Sequence, residues 1–313
     1  MLRIFRDKKG AMAPLVALSM TALLGVASLS VDVGVLYHNK SQLTNMADAA
    51  ALAGARQLPD NTTAARTAAD RIANLNGLQA SDQWSGVVSY TAVSDDTFTT
   101  TVSRDVGMFF ARVLGINQTT VSATAAAQVW PVAGITGVVP FGIPQTDFQP
   151  GGEYTLKAGK GSTGNFGALA LGPPGADSYA ENIRNGYSGR LEISSDPNVP
   201  LLVDEEPGDI AGKTKAEVDT RINADNTDFA HVKPNSPRIV MVPIIDALGQ
   251  GRATVEVVGF AAFFLEKTWQ GDEGIGTGND SYVKGRFMNY VHPTATGGHQ
   301  AGDFGLRTVR LIK

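Results

Sequence analysis

At 313 residues, with 26 Lys plus Arg against 30 Asp plus Glu and a net charge of −4, the chain has no field that would draw it to nucleic acid. It contains no cysteine, which excludes disulfides, thiolate metal sites and a cysteine nucleophile. The 35 glycines and 15 prolines, set against 7% aromatics, predict a body rich in turns and strands.

Residues 1–10 form a basic tail, with Arg3, Arg6, Lys8 and Lys9 outweighing Asp7 ahead of Gly10. From Ala11 to Val31 there is no ionisable side chain. At about 1.5 Å per helical residue, that run matches a bilayer core of about 30 Å. A removable secretory signal usually has an apolar region of about 7 to 15 residues, so the longer run predicts a retained transmembrane helix over 11–31. Val26-Ala27-Ser28 and Ser28-Leu29-Ser30 are the small-residue sites at which a signal would be cut. Pro14 falls in the first turn, where its missing N–H costs little. Ser19, Thr21, Ser28 and Ser30 can bond to the carbonyl one turn back. The excess of positive charge keeps the tail cytoplasmic and exports the chain after Asp32.

Residues 32–58 are helical in pattern and crowded with alanine, so the helix is expected to continue outward from the membrane. Leu36, Leu43, Ala47, Ala50, Gly54 and Leu58 recur at helical spacing, while His38, Lys40 and Gln42 suit a wet interface. Ala47, Ala51 and Ala55 repeat every fourth residue, as do Ala50 and Gly54, which permits close approach of another backbone. The favoured reading is packing against the chain's own next element. The alternative makes Asp32, Ala47, Asp48, Ala51, Gly54 and Ala55 candidates for packing against a partner or a second copy. Asp32, at the outer boundary of the span, is expected to sit solvated among headgroups; Asp48 is a candidate for an N-cap or a bond to a partner backbone.

Pro59, Asp60 and Asn61 break the helix, and Thr62 or Thr63 is expected to cap a second one ending at Gly77. Residues 85–93 and 96–106 read as a β-hairpin turning at 94–96. A short helix over 107–115 and a β-branched strand over 119–132 follow. These elements make residues 32–132 a small α+β region. Beyond it, residues 133–313 are expected to form a β-rich domain, with strands at 138–143, 153–158, 166–171, 189–194, 238–245, 252–269, 281–291 and 306–312. Short helices are expected at 178–186 and 214–225. The run from Arg252 to Trp269 is too apolar in its middle for an exposed edge, so it should lie at the centre of a sheet. Residues 271–280 read as a loop by composition. The fold class is α+β with a single amino-terminal transmembrane helix.

Residues 200–214 imitate a phosphate-binding loop ending Gly212-Lys213-Thr214. Gly208, however, leaves only three residues before the Gly-Lys pair where four are required, and Pro207 stands where the first glycine belongs. The expected structure there is a surface turn followed by a capped helix. His292, His299 and Asp303 have ligand chemistry but match no metal-site spacing. Asp272, Glu273, Asn279 and Asp280 could hold calcium but lack the EF-hand arrangement. No nucleophile elbow occurs. The reading carries no catalytic residue, no cofactor, no metal and no small-molecule substrate.

The segment from Arg6 to Ala55 resembles the TadE/TadG-like domain of Flp pilus-assembly proteins. The resemblance rests on the basic tail, Gly10, the apolar span, Asp32-x-Gly34 with Leu36 and Tyr37, Gln42, and the run from Ala47 to Ala55. Ser122 to Ala125 and Pro140 to Ile143 are similar to longer TadG-type members. The resemblance implies a bacterial inner-membrane protein with its body in the periplasm, contributing to pilus assembly or its secretion platform by binding other subunits, without a catalytic residue. Two family-linked features are not matched. Gly10 is followed by Ala11, Met12, Ala13, Pro14 and Leu15 rather than by a Glu at the fifth position, so pilin-type processing at Gly10 is not expected. Asp177-Ser178-Tyr179 does not supply the Asp-x-Ser-x-Ser of an A-type metal-dependent adhesion site. The second reading is a secreted or surface-exposed adhesin that recognises through its β-rich domain; a metal-dependent or nucleotide-binding enzyme is the third.

Overall fold

A 44-residue helix, α1 (Met12–Ala55), opens the described part of the chain. The computed structural model describes residues 12–89, 96–158, 166–206, 211–248, 253–270 and 281–312. At about 1.5 Å per residue α1 is about 66 Å long, roughly twice a bilayer core, so only half of it can lie in lipid. No proline interrupts it after Pro14, and alanine dominates its outer half. The fold is α+β. The chain divides into two compact units, Met1–Gln128 with Arg310–Lys313, and Val129–Val309.

In the first unit α1 is followed by α2 (Thr62–Leu75), β1 (Gln83–Ser89), β2 (Thr97–Gly107), a single 3-10 turn (Ala111–Leu114) and the first part of β3 (Gln118–Ile135). Asn61, rather than the expected Thr62 or Thr63, caps α2: its side-chain oxygen accepts from the Ala64 N–H at 2.8 Å. Asn61 has extended backbone (φ −148°), which leaves both threonines inside the first turn. Strands β1 and β2 pair antiparallel from Gln83 opposite Ser103 to Ser89 opposite Thr97, and β2 pairs antiparallel with β3 from Thr97 opposite Gln128. The turn expected at 94–96 lies only partly within the described residues.

Alternation along β2 buries Phe98, Thr100, Val102, Arg104 and Val106. Helix α2 packs on α1 and buries Ala65, Ala69 and Ala73. The expected helix over 107–115 is only the 3-10 turn. Gly115 (φ +84°) stops it in the left-handed region, leaving too few residues to propagate an α-helix.

The second unit contains the end of β3, then β4 (Phe141–Pro144), β5 (Glu153–Ala158), β6 (Gly167–Ala168), α3 (Ala176–Asn185), β7 (Leu191–Glu192), β8 (Leu202–Asp204), α4 (Ala211–Asn223) and β9 (Ile239–Ile245). These are followed by β10 (Thr254–Gln270), β11 (Ser281–Met288), β12 (Tyr290–Val291), β13 (Thr296–Gly297), β14 (Gly302–Asp303) and β15 (Leu306–Leu311), which ends in the first unit. Among the described residues the main sheet runs β5-β11-β10-β9-β4-β6, with β8 and β14 also on β10. Strand β10 is therefore central, as its apolar middle predicts. Ala261, Phe263 and Leu265 enter one core while Phe260, Ala262 and Phe264 enter another. A register shift between Val257 and Gly259 marks a bulge in its pairing with β9. Helices α3 and α4 bring Tyr179, Ile183, Ala211 and Val218 to the first of those cores.

Candidate membrane-anchoring and packing site

Among the described residues, nothing covers the first half of α1. Every described side chain from Met12 to Val31 is exposed except Ser28, which is half-buried. The hydroxyls of Ser19, Thr21, Ser28 and Ser30 donate to the carbonyls of Leu15, Ala17, Leu24 and Val26 at 2.6–2.9 Å, so none offers an unsatisfied donor to lipid. This helix is long and apolar enough to cross a membrane.

Its outer half is built into the first unit by contacts that run along β2 in the opposite direction. Gly54 meets Phe98: a methyl placed on that glycine would come within 2.6 Å of the ring. The Thr100 hydroxyl donates to the Ala47 carbonyl at 2.9 Å. Arg104 Nη1 donates to Gln42 Oε1 at 2.9 Å, while Nε and Nη2 grip both oxygens of Asp82 at 2.8 and 2.7 Å and Nη2 also reaches the Gly77 carbonyl at 3.1 Å. Further down the helix, Val35 and Leu36 pack on Val106, Met108 and Ala111. Last, Asp32 Oδ1 accepts from the Phe109 N–H at 2.8 Å, and its Oδ2 accepts from Phe110 and Ala111 at 3.0 and 2.7 Å.

Asp32 was expected to be solvated among headgroups. It is instead 4% exposed and satisfies three backbone donors at the start of the 3-10 turn. Those N–H groups would otherwise be orphaned, and a carboxylate is the strongest acceptor for them. Asp48 is half-buried inside α1, in its last two turns, which rules out the N-cap that was one of the two roles considered for it. Ala47, Ala51, Gly54 and Ala55 are buried within the first unit, so the small-residue face serves the close approach of the chain's own β2 and α2.

The Arg104–Asp82 pair was not among the expected site residues. Its signal was present in the alternation of β2, which places Arg104 on the same inward face as Phe98 and Val102. With side chains only 6% and 0% exposed, the two charges satisfy each other. The Arg104 guanidinium holds the Asp82 carboxyl below its ordinary 3.8, and Asp82 in turn raises Arg104.

The sharper chemical candidates are not brought together. Gly212, Lys213 and Thr214 lie inside α4, not in a phosphate-cradling loop; Lys213 pairs with Asp177 at 3.0 Å and the Thr214 hydroxyl faces that of Tyr179 at 3.2 Å. Pro207 and Gly208 lie outside the described residues, as do Asp272, Glu273, Asn279 and Asp280. His299 packs on Trp130 with ring centroids 4.1 Å apart, and Asp303 pairs with Arg307 at 2.9 Å. His292 is pushed below 6.5 by burial. Among the described residues no group of three or more His, Asp or Glu is placed to hold a metal.

A bare apolar helix of membrane-spanning length, whose outer half is the packed spine of an α+β unit, defines a membrane-anchored protein. Residues 10–57 match the family model described as putative Flp pilus-assembly TadE/G-like. The amino-terminal segment thus resembles a TadE/G-like domain, the domain that the sequence suggests. The matched segment includes the whole contact ladder on α1, from Asp32 through Gln42 and Ala47 to Gly54. No curated protein and no solved structure matches the chain.

Proposed function

We propose that the protein is an assembly factor of a Flp/Tad-type pilus or of its secretion platform, held in the inner membrane by α1 with its amino terminus cytoplasmic and its body periplasmic. It acts by binding other subunits and not by catalysis. The observation that carries this reading is the continuity of α1: one unbroken helix is bare where lipid would cover it and packed along one face where the folded unit begins. Support for the orientation comes from the basic tail and the positive-inside rule. A spanning helix that continues as the spine of the folded unit transmits position, as an assembly platform requires.

Membrane fractionation with protease added from the periplasmic side tests this. The full chain is expected in the inner-membrane fraction and is expected to be digested to a protected fragment ending near residue 35. Complete resistance in spheroplasts would reject the topology. A shortened form recovered outside the inner membrane would favour the adhesin reading.

A further inference from the structure

The order of contacts along α1 fixes which end of the first unit faces the span. Moving from Phe98 along β2 and on to Phe109 just beyond it, the partners on α1 step from Gly54 through Ala47, Gln42 and Leu36 to Asp32. The connection between β2 and β3, residues 108–117, is therefore the end of the unit nearest the bare segment. Its backbone is closed on itself by the Met108 N–H donating to Asn117 and that of Ile116 donating to Ala111, at 3.0 and 3.1 Å.

At this tip Met108 and Ala111 point inward onto Val35 and Leu36, but the remaining apolar side chains point outward. Phe109 is 67% exposed, Val113 89% and Leu114 71%, with Phe110 and Ile116 also exposed. An apolar cluster of this kind, held by three hydrogen bonds to one carboxylate, is costly to leave in water. It adjoins an apolar helix surface that itself requires lipid. Arg112, the tip's one ionisable residue, carries the charge that suits lipid phosphates at an interface.

We propose that residues 109–116 form a second membrane contact, a loop that inserts Phe109, Phe110, Val113, Leu114 and Ile116 into the outer face of the same bilayer that α1 crosses. The inference rests on the reading of α1 as a membrane span. Asp32 is then the hinge-pin of a two-point anchor: its carboxylate fixes the loop beside the helix at the depth where lipid begins, which sets the tilt of the whole first unit against the membrane.

Because the chain has no cysteine, single-cysteine variants of the full-length protein give unambiguous labelling. Val113→Cys, Leu23→Cys and Val87→Cys would each carry an environment-sensitive nitrobenzoxadiazole probe in vesicles of phosphatidylethanolamine and phosphatidylglycerol containing doxyl-labelled lipid. Val113 is chosen because its exposure makes substitution harmless to folding. Val87 is the control: it pairs with Thr99, beside Phe98 and hence level with Gly54, about 33 Å along the helix from Asp32. The expected result is several-fold stronger quenching at position 113 than at 87, greatest with a shallow doxyl label, and quenching at 23 greatest with a deep one. Quenching at 23 with position 113 no different from 87 overturns the loop contact and leaves the span intact. A blue-shifted but unquenched probe at 113 means that protein covers the tip, and overturns it equally. Absence of quenching at 23 removes the span itself, and the loop contact with it.

Discussion

Arg104 places its guanidinium among Asp82, Gln42 and the Gly77 carbonyl, so α1 and the connection between α2 and β1 meet on one side chain of β2. Removing one partner of such a pair leaves the other charge buried and unmatched, which costs more than the pair contributes. Asp82→Asn should therefore destabilise the first unit by about 2–3 kcal/mol, measured by denaturant unfolding in detergent. Replacing both residues by apolar ones, Asp82→Leu with Arg104→Met, should recover part of that loss. The acid limb has a definite sign. Asp82 ionises more readily folded than unfolded, so its contribution is complete above about pH 4 and is lost as pH falls through its depressed folded value. The Asp82→Asn protein should show a shallower fall in stability below pH 4 than the parent; an equal slope would mean that the pair does not couple folding to protons.

Helix α1 contains three glycines with opposite demands. A methyl on Gly54 would lie 2.6–2.8 Å from three atoms of the Phe98 ring, whereas Gly25 and Gly34 have nothing within 4 Å. Gly54→Ala should cost about 1–3 kcal/mol through overpacking, and Gly34→Ala should leave unfolding unchanged or raise stability by up to about 1 kcal/mol. Similar unfolding of the two variants would show that Phe98 can move aside. The same contrast explains what was legible at this scale. Alanine content and helical spacing located α1, α2 and the small-residue stripe, while β-branched composition, turn residues and an apolar middle located β2, β3 and β10, because local patterns report burial of a face. They do not report what covers that face. The partner of Ala47 and Gly54 proved to be β2, about 50 residues away, and the donors to Asp32 lie 77 to 79 residues on. The 3-10 turn at 111–114 read as a helix for the same reason: the carboxylate that stabilises its non-helical start comes from a distant element.

For the molecule as a whole, orientation rests on charge placed at one end of one helix. Arg3, Arg6, Lys8 and Lys9 must stay on the cytoplasmic side if the positive-inside bias governs insertion, and the absence of any ionisable side chain from Ala11 to Val31 leaves no competing signal within the span. Changing all four to Glu should reduce the fraction of chains with an exported body. A single reporter at Val87→Cys reads this directly, because the parent offers no other thiol and Val87 is exposed. In spheroplasts a membrane-impermeant maleimide should label the basic-tail parent, and labelling of the acidic-tail variant should fall several-fold while lysis restores it in both. Equal labelling before lysis would show that the folded body, not the tail, dictates export. Long domains can cross regardless of flanking charge, so the comparison separates a topology set by a few residues from one set by the bulk of the chain.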